Sequence, residues 1–518
     1  MFAALALAIG KKTGWDLYNY HWYNPYALLN DRFGFDVAVA HHATYYNPLA
    51  DLPLYWLGMY GPAWLGGGFL GLMAGATVAA IGVLGYQTLS IDDAKQRTLF
   101  AASLALTGAL GAGAFQEIGD PANDIPSALG IFAALIICVR QLQRAANGHE
   151  SREAVALVVA GSAAGIAVAL KLTIAVYAVG IGGALLFAGG SFVQRVKRAG
   201  LFAAGGAMGL SLAGGFWMLK MWQYSGNPFF PYFNEFFHSH LLVATSYRDR
   251  NFSPHTLRDA VLFPLYFTLE SRNVSESIFR DAHVLIVYLL LPVTLLVRWA
   301  ARRIDHAQLS VATRFIFIFT AISYVAWLAL FDIYRYLIPL EMVAPLLIAL
   351  ALAAWPLRPS IRLFATAAIL CVAQLVVRVD LSDRQSWQGP YVEVSIPQLA
   401  EPDRTMIVMT GHAPMAYVIP FFPKEIPFVR IDSWLVQGSD RTTGLALEMR
   451  RRVREHSGPM LALFEKKELE QATLAAENYG LRLLGGSRQE QGHCDAVRSN
   501  INEALMLCDV VRGPPASE

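Results

Sequence analysis

Residues 154–189 read AVALVVAGSAAGIAVAL-K-LTIAVYAVGIGGALLFAG, two apolar runs, Ala154–Leu170 and Thr173–Gly189, that turn at Lys171. Each run approaches the roughly 20 apolar residues needed to cross a bilayer. Basic clusters bracket the pair, Arg140, Arg144 and Arg152 before it and Arg195, Lys197 and Arg198 after it. Lys and Arg collect in cytoplasmic loops. The stretch therefore reads as a membrane hairpin with its Lys171 turn on the non-cytoplasmic side.

The same pattern extends along the chain. Three further basic clusters are Lys95/Arg97, Arg298/Arg302/Arg303/Arg314 and Arg358/Arg362. Paired apolar runs separate them: Thr98–Gln116 with Ile125–Val139, Leu201–Trp222 with Val284–Val297, and Phe315–Phe331 with Leu337–Trp355. One run (Ala63–Leu89) precedes Lys95, and one (Leu363–Val377) follows Arg362. Met1–Gly10 is too short to span and lacks the basic region of a signal peptide, so the chain reads as beginning inside its first transmembrane helix. The expectation is about eleven helices. Composition agrees, with 55% hydrophobic and 15% charged residues and a mean hydropathy of +0.40. Soluble domains run near 25% charged. A net charge of +2 points to no nucleic-acid partner.

This topology places the loops 11–62, 117–124 and 223–283, the Asp332–Tyr336 turn and the tail on one, non-cytoplasmic side. The tail, 380–518, changes character. Short apolar runs (Met406–Met409, Met460–Phe464, Leu481–Leu484) alternate with charged helix-like stretches (Thr443–His456, Lys466–Asn478). The expected fold class is an α-helical polytopic membrane protein (residues 1–379) with a small C-terminal α/β extracytoplasmic domain (380–518). Outside the cytoplasm, Cys494 and Cys508 are able to pair as a disulfide. Cys138 and Cys371 lie in apolar spans and read as packing residues.

Several polar residues in these loops invite a chemical reading. Asp16 opens a segment rich in Tyr, Trp, His and Asn, including Trp15, Tyr18, Tyr20, His21, His41 and His42. An acid there suits a general base; the structural alternative is a solvated charge among interfacial aromatics. Glu117, Asp120, Asn123 and Asp124 form a second acidic loop, in which Asp124 also reads as a helix cap ahead of Pro126. Arg335, within Tyr334-Arg335-Tyr336, and Lys171 break the charge rule on the outer side, where a guanidinium suits a lipid-borne phosphate. Arg280 and Asp281 read first as a local ion pair. The histidines show no metal-ligand spacing, so no metal site is assigned; the cofactor is left unassigned, since ligand spacing does not support a divalent metal.

Together the acid at Asp16, the second acidic loop (Glu117, Asp120, Asp124), the late external Arg335 and the C-terminal domain resemble the GT-C superfamily of integral-membrane glycosyltransferases. The resemblance runs from the N-terminal stub to about Val377 and looks closest to bacterial members with a Trp-Asp-x-x-Asn-Tyr-His opening. The tail lacks the Trp-Trp-Asp motif of oligosaccharyltransferases, and Asp16 stands alone where many relatives carry paired acids. The resemblance implies inverting transfer of a sugar, a hexose or pentose, from a polyprenyl-phosphate carrier to a glycan, lipid or protein acceptor in the bacterial cell envelope. The active site would face the periplasm from the inner membrane. Asp16 would be the base, with Asp120 and Asp124 as further catalytic carboxylates. Arg335, Lys171, Arg280, Tyr334, His21, Tyr20, Asn123 and Glu117 would bind substrate. The alternative is a transporter or flippase for a glycolipid or related amphiphile, which would place ionisable groups nearer the membrane midplane.

Overall fold

The computed structural model describes residues 1–148, 152–301, 309–484, 493–502 and 504–513. Arg302 and Arg303 of the fourth basic cluster lie outside the described residues. The chain is mostly helical, and among the described residues eight helices are long and apolar enough to cross a membrane. They are Ala63–Thr88, Asp124–Ala146, Glu153–Leu170, Phe192–Ser225, His283–Ala301, Val311–Leu330, Tyr334–Ala353 and Pro359–Val376.

Three of the eleven expected spans are shorter than this. The N-terminal helix is Phe2–Ile9. The run Thr173–Gly189 is a single 3-10 turn followed by a helix that ends at Leu185. Thr98–Gln116 is broken: one helix is Ala94–Ala109, and a second, Ala112–Gln116, follows a break at Leu110 and Gly111. Buried carboxylates explain the break. Asp281 Oδ2 accepts from Ala112 N at 2.9 Å, and Glu341 accepts from Gly113 N at 3.2 Å and Ala114 N at 2.8 Å. These N–H groups at the start of a helix have no intrahelical partner.

The chain divides into two compact units, but not at 379/380. The first comprises Met1–Gly10, Gly68–Gly215 and Arg248–Arg384; the second comprises Lys11–Gly67, Phe216–Tyr247 and Gln385–Glu518. In the first unit, small residues let helices approach closely. A Cβ at Gly161 or Gly165 would overlap the carbonyls of Phe202 or Gly206, and one at Gly205 or Gly209 would overlap those of Val158 or Ser162. Two Gly-x-x-x-Gly faces thus meet, the membrane packing mode that needs no apolar bulk.

The second unit is built on a seven-stranded sheet. Its strands are β1 (Val394–Ser395), β2 (Met406–Met409), β3 (Phe428–Arg430), β4 (Met460–Glu465), β5 (Leu481–Leu483), β6 (Cys494–Ser499) and β7 (Leu505–Arg512). The order is β1-β6-β7-β4-β2-β3, with β5 also on β7. β2 runs parallel to β3 and β4; the β7 pairings are antiparallel. All residues of β2 and β3 are buried, as parallel strands covered on both faces require. The helix Gly444–Glu455 buries Leu445, Ala446, Met449 and Val453, an apolar stripe at helical spacing. Cys494 and Cys508 face each other across β6 and β7, 4.1 Å apart at Cα, and are joined as a disulfide. Closing a loop of this size contributes about 3 kcal/mol in the chain-entropy model.

The 11–62 segment belongs to this sheet unit, because its backbone joins the sheet. Val37 N donates to Phe428 O at 2.9 Å, and Arg430 N donates to Val37 O at 3.1 Å. Arg32 and Asp36 form a buried ion pair, and Arg32 also donates to Lys424 O and Ile426 O. The 223–283 loop is divided between the units at Tyr247 and Arg248.

Candidate functional site

Three helix ends of the first unit bring their charges together. Asp124 begins the span Asp124–Ala146, Lys171 follows the end of Glu153–Leu170, and Arg335 lies in the first turn of Tyr334–Ala353. Lys171 Nζ lies 2.7 Å from Asp124 Oδ2, and Arg335 Nε lies 3.4 Å from the same oxygen. Asp124 is buried, at 1% side-chain exposure, while Arg335 is 33% exposed. Lys171 also donates to Ala122 O at 2.5 Å. Between those two acceptors stands Asn123, in the left-handed region at φ 65°, a conformation Asn tolerates better than most residues. The Tyr336 ring receives both cations on its face, Lys171 Nζ at 5.7 Å and Arg335 Cζ at 5.4 Å from its centroid. Tyr177 Oη donates to Tyr336 O at 2.5 Å and fixes that turn.

Two cations share one carboxylate. Asp124 is not the helix cap read for it: Asn123 holds the cap position and Asp124 is the first helical residue. Its carboxylate sits in the first helical turn, where negative charge is favoured, but its hydrogen bond goes to Lys171. Asp120 and Glu117 are both buried, and Asp120 Oδ1 accepts from Ala122 N at 3.0 Å, which shapes the turn leading to Asn123. Arg384, which the sequence reading passed over, holds the same loop. Its guanidinium donates to Gln116 O at 2.5 Å, Ile118 O at 3.0 Å and Gly10 O at 2.9 Å.

Other residues expected at a site are placed elsewhere. Tyr334 is buried and packs on Phe279 and Phe267, with ring centroids 4.4 and 5.5 Å away. Arg280 is exposed, and its main chain bridges that of Arg378. Asp281 turns inward rather than pairing with Arg280: it accepts from Ala112 N and His283 N, and His283 Nδ1 lies 3.0 Å from it. Glu341, Asp281 and His283 are buried together in the membrane-like unit. Asp281 is separated from the charge-pattern signal by its external position, and Glu341 sits inside an apolar run, so each was visible singly but not as a group.

Asp16, Tyr20 and His21 lie in the second unit. Asp16 is half-buried and precedes a π-helical turn, Leu17–His21. His21 is buried with Nδ1 2.7 Å from Asp51 Oδ1, and the Tyr20 ring packs against His21 and Tyr46. Trp22, Tyr23, Asn24 and His41 are likewise buried. Most aromatics of this segment are core, not a surface for ligand. Among the described residues, no group of three or more His, Cys, Asp or Glu is arranged to hold a metal ion. No family model matches the chain, and no curated protein and no solved structure matches it.

Proposed function

We propose that the chain is a membrane glycosyltransferase that moves a sugar from a polyprenyl-phosphate carrier to an acceptor hydroxyl on the periplasmic side of a bacterial inner membrane. The observation that supports this most is the sharing of the Asp124 carboxylate by Lys171 and Arg335 at three helix ends. A partly exposed guanidinium held at the end of membrane-like helices suits the phosphate of a lipid carrier. In the reaction the acceptor oxygen bonds to the anomeric carbon as the bond from that carbon to the phosphate oxygen breaks. The acceptor proton passes to a carboxylate, and the lipid phosphate departs with its charge stabilised by Arg335 and Lys171. Asp16 is assigned as the base from its place in the sequence.

The test is sugar transfer by the purified full chain in lipid nanodiscs from a panel of polyprenyl-phosphate sugars. Asp16→Asn is expected to fold and to lose transfer by a factor of about 10²–10⁴. Retained turnover in that variant removes Asp16 from the mechanism. The buried Glu341, inside the span Tyr334–Ala353, favours one other reading. Ionisable groups inside membrane segments mark transport pathways, so flux of a glycolipid across liposomes without sugar transfer would establish a flippase instead.

A further inference from the structure

The second unit carries an unassigned cluster at the carboxyl ends of its parallel strands, the usual position for ligands on open α/β sheets. Gly411 and His412 follow β2, and Asp432 and Trp434 follow β3 shortly after Arg430. His412 Nε2 lies 3.1 Å from Asp432 Oδ2, and Gln471 Nε2 donates to the same oxygen at 3.3 Å. Gly438 N donates to Asp432 Oδ1 at 2.9 Å. Burial acts to raise the Asp432 carboxyl, but His412, Gly438 and Gln471 outweigh it and hold it below its ordinary value. Against this polar set stands Trp434, 68% exposed, its ring 4.7 Å from that of His412.

The 11–62 segment supplies the other half. His41 is fully buried, with the His412 backbone beside its ring. Burial first, and then the Arg430 charge, push it well below its ordinary pKa, and His412 is among the groups it faces. Trp15, 38% exposed, stacks on His41 at 5.8 Å with planes 22° apart. The two loops are fastened together. The buried Arg430 guanidinium donates to Val39 O at 2.9 Å, to Gly411 O at 2.5 Å and to Ala413 O at 3.3 Å. Glu468 accepts from Ala413 N at 3.0 Å, and a Cβ at Gly411 would overlap its carboxylate. Trp15 on His41 and Trp434 beside His412 thus form two ring pairs on loops that Arg430 fastens together, with an acid and an amide beside the second pair.

We propose that the cluster of Trp434, His412, Asp432 and Gln471 is a saccharide-binding platform that receives the acceptor, which on the glycosyltransferase reading makes the acceptor a glycan. A sugar ring has an apolar C–H face and a polar hydroxyl rim. The exposed indole of Trp434 matches the face, and Asp432, Gln471 and His412 match the rim with acceptors and donors.

The experiment is saturation-transfer NMR on the full chain in nanodiscs with three probes: a β-1,4-linked N-acetylglucosamine tetramer, maltoheptaose and an α-linked mannotriose. At least one is expected to bind. Trp434→Ala is expected to weaken it by about tenfold, Asp432→Ala likewise, and Trp434→Phe to restore most of the binding, as a ring platform requires. Binding of none of the three, or binding indifferent to both alanine variants, overturns the proposal. A chain that binds a saccharide through Trp434 yet transfers no sugar upholds the platform and ends the glycosyltransferase reading. A chain that transfers sugar while Trp434→Ala binds saccharide at full strength does the reverse.

Discussion

Replacing Arg335 with alanine separates a ligand-binding cation from a structural one. Arg335 Nε stands 3.4 Å from Asp124 Oδ2, whereas Lys171 Nζ is at 2.7 Å and also bonds Ala122 O. Arg335 is 33% exposed and Lys171 12%. Truncating Arg335 therefore leaves the buried carboxylate with its nearer partner, and the stability cost should stay within about 1 kcal/mol, as for other exposed pairs. Toward a phosphate, the lost charge-assisted hydrogen bond is worth about 2 kcal/mol, roughly thirtyfold in Kd. Lys171→Ala should behave in the opposite way. It leaves Asp124 buried with only the longer contact and should cost about 3 kcal/mol of stability. Both quantities can be read in one assay. Cys138 is a fully buried free thiol, so its maleimide labelling during heating reports unfolding, in a Cys371→Ser background that removes the exposed thiol. Undecaprenyl phosphate added in detergent should raise the melting temperature of the parent chain and raise that of Arg335→Ala far less at equal concentration. If Arg335→Ala is destabilised as much as Lys171→Ala, or binds undecaprenyl phosphate within about twofold of the parent, the guanidinium is a structural partner of Asp124 and the phosphate assignment fails.

Two further outcomes follow from buried groups. Glu341→Ala strands the Gly113 and Ala114 N–H groups and should cost about 3 kcal/mol, with Glu341→Gln costing less, read by the same thiol melting; a shift of under about a degree would show that the helix break at Gly111 holds without the carboxylate. Burial pushes the Lys11 ammonium down to about 8 from 10.5, while it donates to Tyr391 O. Its folded pKa lies below the unfolded one, so between pH 8 and 10.5 the unfolded chain binds more protons and stability rises with pH. Lys11→Met should lack that rise when melting temperatures are compared across the window, and identical slopes would refute the assignment.

The long apolar helices were legible because hydropathy and basic clusters are local signals, each complete within some twenty residues. The break in Thr98–Gln116 was not, because the groups that make it, Asp281 and Glu341, lie 169 and 227 residues away from the N–H groups they hold. The aromatic segment after Asp16 failed for a related reason. Tyr, Trp and His at a membrane edge and Tyr, Trp and His in a domain core look alike until the partner is known, and here the partner is β3, paired with Val37 from nearly four hundred residues upstream. What did survive the passage from sequence to structure was the position of isolated cations. Lys171 and Arg335 stand apart from the basic clusters, at the turns between apolar runs, and a charge next to a bilayer needs a partner close by. Asp124 is that partner for both. One carboxylate thus holds two cations contributed by separate helix ends, an arrangement that no single local stretch of sequence encodes.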